Sequence, residues 1–65
     1  MITLHRRSGH PVIVNADLVE TVESSADGET VVTLTTGNVL VVEETPQAVA
    51  EAAIAYRRGI AGGAR

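Results

Sequence analysis

The stretch VIVNADLVETVE, residues 12–23, decides the fold that this sequence predicts. It begins as an apolar strand, is interrupted by Asn15-Ala16-Asp17, and then becomes apolar again. The second apolar spacing fits neither a strand alone nor a helix alone. We therefore expect a single turn that leads into a short strand ending near Ser24-Ser25.

Asn15 and Asp17 are the polar residues of this interruption. A functional interpretation would make Asp17 an acid, a base or a metal ligand. Asparagine and aspartate also accept hydrogen bonds from backbone amides two residues on, and so hold the chain in a tight turn. At a strand break we favour the turn, and predict Asn15 and Asp17 as structural residues.

The residues around this stretch indicate β-hairpins. Ile2 and Leu4 alternate with polar residues, and the turn residues 8–11 then separate this first strand from the next one. Gly28 follows an aspartate and Gly37 precedes an asparagine, and both dipeptides are typical of tight turns. We predict Gly28 and Gly37 as turn residues that separate the third, fourth and fifth strands.

The fifth strand, Val39–Val42, is apolar at all four positions. A strand that is apolar on both sides should be buried on both faces, and one helix can cover only one of them. We predict that Val31, Leu40 and Val42 form an apolar set on the second face. Such a face is an interface unless a bend in the same sheet folds over it.

One helix is predicted over about residues 46–60, followed by a loose tail at 61–65. Thr45 can cap its first amides, and Pro46 suits the first helical position. Arg57 and Arg58 lie in the last turn, where cations are favourable. The helix should pack on the sheet through an apolar stripe at three- and four-residue spacing, namely Val49, Ala53, Tyr56 and Ile60.

The predicted fold class is therefore α+β, in a single domain spanning residues 1–65. We expect a small, strongly bent antiparallel sheet of about five strands over residues 2–42, or a partly closed barrel, with one C-terminal helix. A chain of 65 residues buries only about 60% of the surface that its unfolded form exposes, so its core is marginal. Because the chain has no cysteine, we expect a homo-oligomer or a partner to add stability.

The charge pattern limits the partners. Five arginines against 8 acidic residues give a net charge of -3, which argues against general nucleic-acid binding. Alternation places Arg6 and Arg7 on opposite faces of their strand. Arg57 and Arg58 are candidates for contact with an acidic protein surface. No apolar run approaches a length of about 20 residues, so we expect a soluble, cytoplasmic protein that could lie near a membrane without inserting into it.

Catalytic chemistry is not indicated. His5, His10 and Asp17 could in principle ligate a metal, but their spacing matches no tight motif. Ser8 and His10 lie close in sequence, yet a chain this short should not enclose a deep pocket. We expect no enzyme activity, no cofactor, no metal and no small-molecule substrate.

The segments NADLVETVES and VVTLTTGNVLVVEET and the helix ending in YRRGI resemble the FlbD and SwrD family of small bacterial flagellar proteins. The resemblance runs from Ile2 to about Ile60. It implies a cytoplasmic protein of flagella and swarming that supports motor power at the stator through protein contacts and catalyses nothing. The positions that match are Asn15, Asp17, Leu18, Glu20, Thr21, Leu34, Gly37, Val41, Glu43, Tyr56 and Arg57.

Two other interpretations remain open at this point. VNADLVETVES followed by VTLTTGNVLVV is also similar to the closing part of LytTR-type DNA-binding domains, although the acidic balance favours shared construction over shared activity. A self-assembling structural homo-oligomer, joined through the fifth strand, is the second alternative.

Overall fold

The computed structural model describes residues 1–61, the last two as backbone only. Five strands precede one helix, in the order β1 (Ile2–His5), β2 (Pro11–Val14), β3 (Val19–Ser24), β4 (Thr30–Leu34), β5 (Val39–Val42) and α1 (Pro46–Ala61). The predicted α+β class, with five antiparallel strands and a C-terminal helix, is confirmed. The predicted loose tail lies outside the described residues, except for Ala61, which is the last residue of α1.

The strands form two antiparallel sheets. One contains β1 and β2, and the other has the order β3-β4-β5. They are joined where Arg6 forms an antiparallel bridge with Val42 and the amide of Glu43 donates to the carbonyl of His5 at 2.8 Å. The described strands therefore form a bent sheet and do not close into the barrel that was the alternative expectation.

Each hairpin turn has the same construction. In the β3–β4 turn, the amide of Gly28 donates to the carbonyl of Ser25 at 2.9 Å, and the amide of Ser25 donates to the carbonyl of Glu29 at 2.7 Å. This is a three-residue loop whose glycine adopts positive φ, +82° at Gly28. The β4–β5 turn repeats the pattern with Gly37 at +94°. Both glycines predicted as turn residues thus occupy positions that strain other residue types.

The break after β2 is a 3₁₀ turn, Ala16–Leu18. The Oδ1 atom of Asn15 accepts a hydrogen bond from the Asp17 amide at 3.0 Å, and the Asn15 carbonyl accepts one from the Leu18 amide at 2.9 Å. The Asp17 carboxylate points elsewhere, with Oδ1 4.0 Å from Nε of Arg57. Of the two predicted turn residues, only Asn15 therefore uses its side chain in the turn. The turn role predicted for the Asp17 side chain is corrected, because its carboxylate approaches Arg57 of the helix instead.

The core lies between the β1–β2 hairpin, the inner face of the three-stranded sheet and α1. The helix begins with the Thr45 hydroxyl accepting a hydrogen bond from the Ala48 amide at 3.0 Å, as its sequence predicts. Val49 is fully buried, and Ala53 and Tyr56 pack against the core at intermediate exposure. The side chain of Ile60, the fourth residue of the predicted stripe, lies outside the described residues. The buried core consists of Ile2, Leu4, Val14, Ala16, Val32, Leu40, Val42 and Val49.

The faces of β5 differ from the prediction. Leu40 and Val42 belong to the buried core. Val31 pairs with Val41, and both are half-buried on the opposite, outer face of the sheet. Leu40 and Val42 are covered because the β1–β2 hairpin bends back over the inner face. The prediction that Val31, Leu40 and Val42 share one free apolar face is therefore corrected, since only Val31 lies on the outer face.

Candidate functional site

A groove of about 380 Å³ lies between β2 and the β4–β5 hairpin. Its lining includes Val14 and Leu40, which also belong to the core. It also includes Ile13 and Val39, two apolar side chains that are 70% and 57% exposed. Single exposed apolar residues are ordinary on protein surfaces, but here two border one groove. This groove, called the β2–β5 groove below, is the candidate site.

The backbone of β5 contributes to the groove as well as its side chains. The carbonyl of Asn38 accepts a hydrogen bond from β4 at 2.8 Å, whereas the amide of Glu43 donates toward β1. Backbone groups of successive strand residues alternate between the two sides of a strand. The N–H and C=O groups of Val39 and Val41 therefore point away from β4. This edge of β5 presents donors and acceptors in the spacing that an added strand would use.

The other sheet edges carry features that oppose strand addition. β3 has Glu20 and Glu23 along its length and a register shift near its start. β2 begins with Pro11, which has no amide hydrogen to donate. β5, Val39–Val42, contains only apolar residues and pairs with β4 without a register shift. Since charges, bulges and prolines are common protections of an edge, β5 lacks the protections that β2 and β3 carry.

Arg6 is the charged residue that lines the β2–β5 groove. Its neighbour Arg7 contacts the carboxylate of Glu29 instead. The two side chains line different grooves, although β1 ends at His5 and Arg7 lies in the turn that follows it. Within the part of the chain that the structure describes, no carboxylate lies within 4.0 Å of the Arg6 guanidinium. Arg6 can therefore meet an acidic group from outside the molecule.

The two helix arginines predicted as interface residues lie apart from this groove. Arg57 faces Asp17, and both side chains are more than half exposed. An ion pair of this length and exposure contributes little to stability. Arg58 is exposed in the last described turn of α1. The predicted set of Val31, Leu40, Val42, Arg57 and Arg58 is therefore not one surface, because its members lie on the outer sheet face, in the core and on the helix.

A second groove of about 280 Å³ lies beside the β1–β2 turn. Its lining is largely charged and includes Arg7, Asp27, Glu29 and Glu43. Because its arginine is already in contact with Glu29, this groove offers mainly acidic groups in a solvent-exposed setting. It has neither the apolar rim nor the free strand edge of the β2–β5 groove.

His5 joins β1 to the start of the helix. Its amide donates to Oε1 of Glu44 at 2.9 Å, and its ring Nδ1 lies 2.7 Å from Oε2 of the same carboxylate. Partial burial alone would raise the pKa of Glu44, but the hydrogen bonds from the His5 ring and backbone outweigh it and hold the pKa below its ordinary value of 4.5. This contact has a structural use, because it fixes the end of β1 against the residue preceding the helix cap.

The other candidate ligands lie apart from this contact. The ring Nδ1 of His10 lies 2.8 Å from the Ser8 hydroxyl on an exposed turn. Asp17 faces α1, so His5, His10 and Asp17 do not converge. Among the described residues, no group of three histidine, cysteine, aspartate or glutamate side chains is placed to hold a metal ion.

Sequence reasoning missed the main features of the β2–β5 groove, namely Ile13, Val39 and the unpaired position of Arg6. Ile13 lies between two inward-facing residues of β2, so alternation alone could have placed it on the outside. That Val39 lies beside it depends on how the two sheets meet, and no local pattern reports that.

A family model described as "FlbD: Flagellar and Swarming motility proteins" matches residues 1–61. No curated protein and no solved structure gave a match to the chain. In the described residues, no helix is both long and apolar enough to cross a membrane.

Proposed function

Because the chain belongs to the FlbD family of flagellar and swarming motility proteins, we propose that it is a non-enzymatic cytoplasmic protein that supports flagellar motor power. Its partner in this proposal is a stator protein of the motor. The chain binds that partner through the β2–β5 groove and performs no chemistry on it.

The binding role is supported by two features that occur together at this groove, namely exposed apolar side chains and a strand edge. Ile13 and Val39 are apolar and exposed, and β5 beside them has an unprotected edge. Apolar surface and free backbone groups are what a protein-binding site needs. Catalysis would need an activated nucleophile or a paired acid and base, and the polar groove residues Arg6, Asn15 and Asn38 supply neither.

The first test is swimming speed under increasing viscous load in a strain that lacks the protein, with flagella counted in parallel. We expect a normal number of flagella and a speed that falls more steeply with load than in the parent strain, because torque is what limits movement against load. Fewer flagella would place the protein in flagellar assembly. Unchanged swimming at every load would reject the motor-power role.

Complementation of that strain tests the groove itself. Ile13→Glu places a charge on an exposed apolar position of the groove, so we expect a folded protein that fails to restore speed under load. Ile54→Glu is the matched control, because Ile54 is also an exposed isoleucine, at 50%, but lies on α1 outside the groove. We expect the control to restore speed. Equal behaviour of the two variants would show that the groove is not the binding surface.

A further inference from the structure

Resting on the proposed function, we propose that the β2–β5 groove binds an extended segment of the partner, which adds as a strand to β5 and places an acidic side chain against Arg6. The proposal specifies the partner's conformation and charge, neither of which the motility role requires.

The extended conformation follows from the edge of β5. Val39 and Val41 each direct an N–H and a C=O away from β4. A strand laid along this edge satisfies these groups with its own backbone, which is the usual mode by which a free edge recognises a peptide. The edge becomes occupied at Val41, because the antiparallel bridge between Arg6 and Val42 engages the Val41 carbonyl as well as the Glu43 amide. The free groups are therefore the N–H and C=O of Val39 and the N–H of Val41, which span roughly 7 Å at about 3.3 Å per residue.

The composition of the segment follows from the groove lining. Successive side chains of an added strand point alternately to its two sides. Those on one side meet Val14, Leu40 and the other apolar residues of the groove, so apolar residues at every second position fit best. The groove thus selects a short segment with alternating apolar residues.

The acidic residue of the bound segment is inferred from Arg6. Arg7 has Glu29 and Arg57 has Asp17, but no described carboxylate reaches Arg6. A guanidinium at the margin of an apolar groove pairs well with a carboxylate, since both hydrogen bonding and charge favour the contact. An acidic segment is therefore preferred over a neutral or basic one.

A second copy of this chain fits the groove poorly. A symmetric pair of β5 strands would place two concave grooves face to face. Neither copy would then supply a projecting segment to fill the groove of the other. The lining residues of the groove include no acidic side chain, so a second groove offers no charge partner to Arg6.

The experiment titrates the full chain, labelled with ¹⁵N, with a blocked six-residue peptide that alternates valine with threonine and carries one aspartate. A second peptide has lysine in place of the aspartate, and a third is the aspartate peptide with N-methyl groups on its backbone amides. We expect amide shifts confined to the groove, with Ile13, Val39 and Val41 among the shifted residues. The lysine peptide should bind about fivefold more weakly or worse, and the N-methylated peptide should not bind.

The same titrations are repeated with the variant Arg6→Glu. It should reverse the preference, so that the lysine peptide binds more tightly than the aspartate peptide. The absence of any shift at peptide concentrations on the order of millimolar would overturn the proposal. So would shifts outside the groove, equal binding of the aspartate and lysine peptides, or groove shifts that depend on protein concentration without peptide, which would assign the groove to a second copy.

The peptide result and the motility result can disagree. If Ile13→Glu abolishes function in cells but the peptides do not bind, the groove serves the motor through a folded partner surface, and only the extended-segment proposal fails. If the peptides bind as expected but Ile13→Glu restores full speed, the groove recognises such segments outside the motor, and the proposed function fails.

Discussion

Replacing each of two neighbouring residues of β5 with glutamate should have opposite consequences. Val39 and Leu40 are adjacent, but Val39 is 57% exposed while Leu40 is 9% exposed. We expect Leu40→Glu to unfold the protein and Val39→Glu to leave it folded. The contrast tests the assignment of the two faces of β5 directly, because both variants carry the same new charge on the same strand.

The magnitude follows from the surroundings of Leu40. Its neighbours in the core cluster are aliphatic and cannot donate a hydrogen bond to a carboxylate, although Leu40 also lines the groove that Arg6 borders. Loss of the leucine packing alone costs about 2–5 kcal/mol, and desolvation of the carboxylate adds to this cost. A domain of 65 residues has a total stability of roughly 3–10 kcal/mol at the usual stability per residue. The cost at Leu40 is therefore comparable to the whole stability, whereas a surface change such as Val39→Glu costs about 0.5 kcal/mol or less.

Urea unfolding followed by circular dichroism measures both variants against the wild type. Val39→Glu should show a sigmoidal transition with a midpoint near that of the wild type. Leu40→Glu should show no folded baseline, and its amide spectrum should have the narrow dispersion of an unfolded chain. A cooperatively folded Leu40→Glu protein, or an unfolded Val39→Glu protein, would refute the face assignment on which the β2–β5 groove depends.

Four further substitutions have defined outcomes in the same urea assay. Asn15→Ala should cost about 1 kcal/mol, because it removes the side-chain acceptor of the 3₁₀ turn, whereas Asp17→Ala should change stability by less than about 0.5 kcal/mol; a larger loss at Asp17 would support the turn role first predicted for its side chain. The pKa of Glu44 is lowered on folding, so its stabilising effect is present above its ordinary value of 4.5 and is lost as the pH falls through the lower folded value. Glu44→Gln should therefore be less stable than the wild type at about pH 6, with a gap that narrows toward about pH 3, and a constant gap would contradict this. Gly37→Ala should cost about 1 kcal/mol or more because φ is +94° there, and an unchanged midpoint would show that the turn tolerates another residue.

Local features of this fold are readable from the sequence. Gly28 and Gly37 lie at tight turns because few other residues adopt positive φ, and Thr45-Pro46 precedes the helix because both residues suit its first turn. The turn after Asn15, followed by a strand ending at Ser24, is also as expected. In each case a few neighbouring residues determine the backbone, so the signal lies in the sequence itself.

The sequence alone does not predict which residues of β5 point into the core and which point outward. Val39–Val42 is apolar throughout, so alternation cannot report which residues point inward. The answer depends on the pairing register, Val32 with Leu40 and Val31 with Val41, and on the bend that brings β1 against Val42. The register is set by the nearby turn at Gly37, but the Arg6–Val42 bridge joins residues far apart in the chain, and no local pattern encodes that contact. The β2–β5 groove was missed for the same reason, since its two walls meet only after the sheet bends.

Ile13 and Ile54 show why exposure alone does not identify a site. Both are exposed isoleucines, and the sequence gives no reason to separate them. Ile13 borders a groove that contains a second exposed apolar residue, an unprotected strand edge and an arginine without a described acidic partner. Ile54 lies on the solvent side of a helix whose buried side already contacts the core through Val49. Binding energy concentrates where several such features coincide, so a charge at Ile13 should affect recognition while the same charge at Ile54 should not.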